Sequence, residues 1–152
     1  MQGSATVHMA APADKIWDLI ADVRNTGRFS PETFEAEWLD GATGPELGAR
    51  FRGHVRRNEI GPVYWTTCRV TACEPGREFG FEVLVGNRAV NNWLYQLTPA
   101  DGGTDVTESF RMNESTFTTL YQWVFGGFPR KRRNIRDMTK TLHRIKDEAE
   151  AG

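Results

Sequence analysis

Cysteine is scarce in this chain of 152 residues: Cys68 and Cys73 are the only two. Five residues apart on one predicted strand, their side chains fall on opposite faces, which excludes a mutual disulfide. Two reduced thiols fit a cytoplasmic protein. Histidine is almost as rare. His8, His54 and His143 are scattered, and none stands in a His-x-x-x-His pair, so the pattern offers no metal site and calls for no cofactor. A nucleophile elbow, a phosphate-binding glycine loop and a Ser/His/Asp phrase are all missing. No apolar run approaches the length of a membrane span, and the start of the chain lacks the basic-then-apolar pattern of a signal peptide. Net charge is −1, which leaves no electrostatic case for nucleic acid. Nothing in the pattern chooses between a monomer and a homodimer.

What is present is an ordinary globular composition, 39% hydrophobic and 26% charged. The chain is long enough for one domain with a sizeable core, expected to span 1–152 without a linker. The charge is uneven. Asp14, Asp18, Asp22, Glu32, Glu35, Glu37 and Asp40 make the first quarter acidic, and basic residues dominate from Pro129 to Lys146.

The C-terminal segment Pro129 to Ala149 organises the rest. Pro129 suits a first helical turn, and Ile135, Met138, Leu142, Ile145 and Ala149 recur at steps of three and four. Such a helix would be roughly 30 Å long and needs a cover for its apolar stripe. The preceding chain supplies strands. Ala5 to Met9 alternates, and Ala11-Pro12-Ala13-Asp14 then starts a helix. A second helical turn covers Arg24 to Phe29. Six strands follow. Phe34 to Leu39 places Phe34, Ala36 and Trp38 on one face. Ala49 to Arg57 sets Phe51, Gly53 and Val55 against Arg50, Arg52, His54 and Arg56. Val63 to Cys73, Arg77 to Val85, Asn91 to Leu97 and Thr104 to Met112 complete the set. Short turns such as Glu74-Pro75-Gly76 and Asp101-Gly102-Gly103 make them antiparallel neighbours. The expectation is an α+β domain: a curved antiparallel sheet of about seven strands around a long C-terminal helix, with two short helices after the first strand.

The space between sheet and helix is the candidate site. Its expected lining is Phe51, Phe79, Phe81, Trp93, Tyr95, Glu108, Phe110, Met138 and Leu142. Cores and pockets use the same residue types, so these residues alone leave both readings open. Glu108 shares strand parity with Val106 and Phe110. A carboxylate on that face is costly unless paired, and desolvation would raise its pKa. It is either a ligand anchor or proton-transfer group, with Tyr95 as a second catalytic candidate, or a structural carboxylate. His143, beside Leu142, stands where it could edge the cavity. Phe117, Tyr121, Trp123 and Phe125 next to Gly126-Gly127 read as an entrance lid with a glycine hinge, or as an apolar helix packed on the barrel end. Arg130, Arg132 and Arg133 oppose the helix macrodipole and are candidate contacts for an anion, an anionic membrane surface included.

Several phrases carry a family resemblance. Ala11-Pro12-Ala13-Asp14-Lys15-Ile16-Trp17-Asp18 resembles the opening helix of the START and birch-pollen-allergen superfamily. Gly48-Ala49-Arg50-Phe51-Arg52-Gly53 resembles its third-strand phrase. Val70-Thr71-Ala72-Cys73-Glu74-Pro75-Gly76 and Asp101-Gly102-Gly103-Thr104-Asp105-Val106-Thr107-Glu108 resemble two of its hairpins. The branch is similar to the actinobacterial polyketide cyclase/dehydrase-like group. The resemblance implies a helix-grip fold with a cavity open at one end, which favours a pocket over a filled core. It also implies a small hydrophobic ligand, lipid-like or aromatic. Two further functions stay open: a cofactor-independent aromatase/cyclase or dehydratase, and an interaction module with a vestigial cavity. No catalytic motif of the family transfers to particular residues here.

Overall fold

The computed structural model describes residues 2–56, 63–112 and 127–151, with the side chains of the last segment described from 132 onward. Strand β1 (Gln2–Met9) leads into helix α1 (Ala13–Ala21), a 3₁₀ turn (Val23–Asn25) and the short helix α2 (Thr26–Phe29). Six strands follow: β2 (Thr33–Trp38), β3 (Arg50–Arg56), β4 (Val63–Glu74), β5 (Glu78–Val85), β6 (Arg88–Ala100) and β7 (Gly103–Met112). Helix α3 (Gly127–Glu150) closes the order. The strands form one antiparallel sheet in the order β1-β7-β6-β5-β4-β3-β2. With α3 laid against β1 and β7, and α1 and α2 packed on its flank, this is a helix-grip fold of the α+β class.

Local chemistry explains the element ends. Pro12 caps α1 in an extended conformation, and Asp14 in the first turn complements the positive end of the helix dipole. Ile16, Trp17, Ile20 and Ala21 bury one face of α1. The Trp17 indole N–H donates to the Glu78 carbonyl at 2.9 Å and ties α1 to β5. Asp22 accepts from the Arg24 backbone N–H at 3.1 Å and starts the 3₁₀ turn. Where β7 begins beside the end of β1, a Cβ on Gly103 would stand 2.1 Å from the Met9 carbonyl oxygen, so only glycine allows that approach.

Period-2 burial is cleanest in β7. Thr104, Val106, Glu108, Phe110 and Met112 are buried, and the residues between them are not. Helix α3 buries Asn134, Met138, Thr141, Leu142, Ile145 and Ala149. The main core gathers Met9, Ile16, Phe79, Val106, Leu142 and Ile145. A smaller cluster of Phe110, Met112 and Met138 lies further along, with Trp93 and Ile135 against it.

Two bulges overturn expectations from simple alternation. A register shift between Thr33 and Glu35 takes Phe34 off the face it was expected to share with Ala36 and Trp38. Phe34 is 45% exposed and lies with its ring 4.4 Å from that of His54. His54 in turn stacks on Trp65 at 4.1 Å. A second shift, between Val70 and Ala72, changes the parity of β4. Cys73, opposite Phe79, therefore packs against the same core that buries Cys68, so the two cysteines do not point to opposite faces. Both thiols are free.

Candidate functional site

Sheet and helix do not meet everywhere. A cavity of about 820 Å³ lies between them, walled by the inner faces of β3 to β7, the helical side of α3, and the α1–α2 segment. Its size lies within the usual range of small-molecule sites. Aromatic rings make much of the sheet wall. Phe51 meets Phe81 edge-on at 5.2 Å, and Phe81 lies 6.2 Å from Phe79. Gly53 sits on the same face of β3 as Phe51, and a Cβ there would stand 3.1 Å from the Thr33 methyl group, so the glycine makes room for Thr33.

Cross-strand pairing sets the polar groups. Tyr95 on β6 stands opposite Glu108 on β7, and both line the cavity. The Tyr95 hydroxyl hydrogen-bonds to the Glu108 carboxylate. On its other side Glu108 faces Ala5 of β1, which offers no partner side chain. Glu108 is only 5% exposed, and its Oε1 is buried without a hydrogen-bond partner. Burial pushes its carboxyl up to about 8, against the smaller downward pull of the Tyr95 hydrogen bond. Burial, and then the neighbouring Glu108 charge, push Tyr95 well above the ordinary phenol range. A second buried oxygen without a partner, Asn91 Oδ1, belongs to the cavity wall four residues back along β6, about 13 Å away at ordinary strand rise.

Most of the expected lining residues come together here: Phe51, Phe79, Phe81, Trp93, Tyr95, Glu108 and Met138 all face the cavity. Two do not. Phe110 lies in the smaller cluster with Met112 and Met138, and Leu142, with no exposed surface, belongs to the main core. Helix α3 instead presents Asn134, Asp137, Met138, Thr141 and Ile145. Three of these five are polar, a feature that reading only apolar periodicity missed. The steps of four, three and four from Asn134 through Met138 and Thr141 to Ile145 were the available signal. His143 is exposed and does not edge the cavity.

Cys68 also lines the cavity, but burial pushes its thiol up to about 12, which rules out a reactive thiolate at neutral pH. Among the described residues no group of three or more His, Cys, Asp or Glu side chains is placed to hold a metal ion. Phe117, Tyr121, Trp123, Phe125 and Gly126, the expected lid, lie outside the described residues. Gly127, the expected hinge partner, is the first residue of α3. Arg132 is exposed and Arg133 half-buried, while the side chain of Arg130 lies outside the described residues. No helix among the described residues is long and apolar enough to cross a membrane.

Fold and cavity together define a helix-grip domain with an internal chamber walled by aromatic rings and a buried carboxyl. The chain belongs to the family described as polyketide cyclase / dehydrase and lipid transport, whose model matches residues 2–150. No curated protein matches the sequence. Solved structures do. A polyketide-cyclase-like protein from Corynebacterium glutamicum is similar at 27% identity and a TM-score of 0.60, covering 99% of this chain and 94% of that one. A protein from Deinococcus radiodurans aligns at 21% identity and a TM-score of 0.70, covering 100% and 99%. The di-domain ARO/CYC StfQ from the steffimycin biosynthetic pathway aligns at 12% identity and a TM-score of 0.76, covering 99% of this chain and 50% of its own. At these lower identities the likeness is one of fold.

Proposed function

We propose that this protein binds a small, mostly hydrophobic molecule, lipid-like or aromatic, in the cavity between the sheet and α3. The observation that carries this reading is the cavity itself: about 820 Å³, walled by aromatic rings and by one buried carboxyl-bearing residue, Glu108. Phe51, Phe81 and Trp93 supply apolar surface around it. A family description that includes lipid transport agrees with the reading. The test is fluorescence titration with Nile red, a neutral dye that brightens in apolar surroundings. Saturable binding at one site per chain is expected, and a flat titration would argue against the proposal.

One specific observation favours a second reading, a cofactor-independent cyclase or dehydratase. Glu108 and Tyr95 are buried and in hydrogen-bond contact, and a carboxyl that titrates near 8 is suited to giving and taking a proton at neutral pH. The cavity would then hold a reactive poly-β-carbonyl chain in a folded conformation. Incubation with such a chain distinguishes the readings: a cyclised product that disappears in Glu108→Gln supports catalysis.

A further inference from the structure

The α3 wall of the cavity carries two side chains whose hydrogen-bonding capacity is unused. Asn134 is 4% exposed and Thr141 8%, and both line the cavity. Neither side chain makes a hydrogen bond among the described residues. Thr139 follows the ordinary helical habit and donates its hydroxyl to the Ile135 carbonyl at 2.9 Å, whereas the Thr141 hydroxyl has no such bond. Their polar atoms are also within reach. The described polar atoms that are sealed off without a partner are Trp38 Nε1, Asn91 Oδ1 and Glu108 Oε1, and no atom of Asn134 or Thr141 is among them. The amide and the hydroxyl therefore keep surface open to the cavity. Asp137, on the same wall, is already engaged by Arg136 at 3.7 Å.

Asn134 and Thr141 are seven positions apart. That is two helical turns, so they stand roughly 10 Å apart along one line of the helix. Met138 lies between them and Ile145 one turn beyond Thr141, both on the cavity wall. The helix thus offers polar, apolar, polar and apolar positions in succession. The sheet wall offers the rings of Phe51, Phe81 and Trp93. We propose that the ligand is an uncharged, rigid, mostly apolar molecule with a hydrogen-bonding oxygen at each end. Asn134 and Thr141 hold the two oxygens, and the apolar middle lies between Met138 and the aromatic wall. The inference rests on the reading of the cavity as a binding site and names the class of molecule it takes.

Both groups match neutral oxygens. The Asn134 amide donates and accepts, and so does the Thr141 hydroxyl, so each can serve a hydroxyl or a carbonyl of the guest. Neither supplies a charge to offset one on the guest. Spacing selects as well: a guest with both oxygens at one end engages one residue and leaves the other without a partner. On a wall lacking such groups, each hydroxyl added to a guest weakens binding, because it leaves water unpaired. On the α3 wall that order reverses.

The experiment uses Nile red as the reporter and four compounds of one shape as competitors. They are biphenyl, para-phenylphenol, para,para′-biphenol and phenylresorcinol, the last with both hydroxyls on one ring. The oxygens of para,para′-biphenol are also roughly 10 Å apart, matching two helical turns. It should displace the dye about tenfold more tightly than para-phenylphenol, which in turn should exceed biphenyl. Phenylresorcinol should gain nothing over para-phenylphenol. In Thr141→Val and in Asn134→Leu the biphenol should fall to the affinity of para-phenylphenol. Melting temperatures of both variants should equal or exceed the parent's, because each change removes a polar group that has no partner in the folded protein. Dye binding with the competitors ranked by apolarity alone, biphenyl first, would overturn the inference while leaving the binding reading intact. Equal affinity of the two diols, a biphenol advantage that survives in both folded variants, or dye binding with displacement by none of the four would overturn it as well. Absence of binding by the dye and by all four compounds would remove the reading beneath it.

Discussion

Tyr95 and Glu108 face each other across β6 and β7, and the phenol's hydrogen bond satisfies only one side of the carboxyl. Folding therefore leaves a half-satisfied acid inside an open chamber. A purely structural carboxylate would be expected to have both oxygens engaged. In this one Oε1 is buried without a partner in a residue on the chamber wall.

Replacing Glu108 by Gln separates these roles. The amide has nearly the same shape, can still accept from the Tyr95 hydroxyl, and carries no charge to desolvate. The expected result is a melting temperature at pH 6 within about 2 °C of the parent, together with a several-fold change in Nile red affinity. Calorimetry and thermal unfolding on the same samples check both. A large fall in melting temperature with unchanged affinity would make Glu108 a structural residue.

The same carboxyl sets a pH dependence of stability. Its folded pKa, about 8, lies above the ordinary value of 4.5. Below about pH 4.5 it is protonated in both states and has no effect on the slope. Between pH 4.5 and 8 the folded state holds a proton that the unfolded state has lost, so its contribution to stability declines as pH rises. Above 8 the loss is complete and amounts to a few kcal/mol at most. Urea unfolding between pH 5 and 9 should show this decline in the parent protein and a shallower one in Glu108→Gln.

Leu142 and Met138 test which face of α3 is core and which is chamber. Leu142 has no exposed surface and packs in the main core, so Leu142→Ala should cost about 2–5 kcal/mol and leave Nile red affinity nearly unchanged. Met138 touches the cavity, and Met138→Ala should enlarge it and change dye affinity as well as stability. Urea unfolding and dye titration of both variants check the contrast.

The fold was legible because most strands keep one strict alternation and α3 keeps one stripe. Pairing of Val106, Glu108 and Phe110 on one face followed from parity alone, and it brought Glu108 inside. Parity fails where a residue is inserted. The shifts at Thr33/Glu35 and Val70/Ala72 moved Phe34 and Cys73 to unexpected faces, and period-2 reading has no marker for a bulge. The site was legible on the sheet side, where aromatic residues point one way. On α3 it was not, because Asn134, Asp137 and Thr141 look like solvent-facing residues unless the cavity is already known. Whether Leu142 belonged to core or cavity depended on the rotation of α3 about its axis, and a stripe of period 3.6 does not fix that rotation to one residue.

The central claim is that the chamber is real and takes a guest. Val83 lines it from β5, and Val83→Trp would narrow it with a bulky ring set against the aromatic wall. The decisive measurement is native mass spectrometry of parent and Val83→Trp proteins after incubation with Nile red under identical conditions. One added dye mass per parent chain, with less adduct on a folded Val83→Trp variant, is the predicted result; no adduct on the parent chain would contradict it.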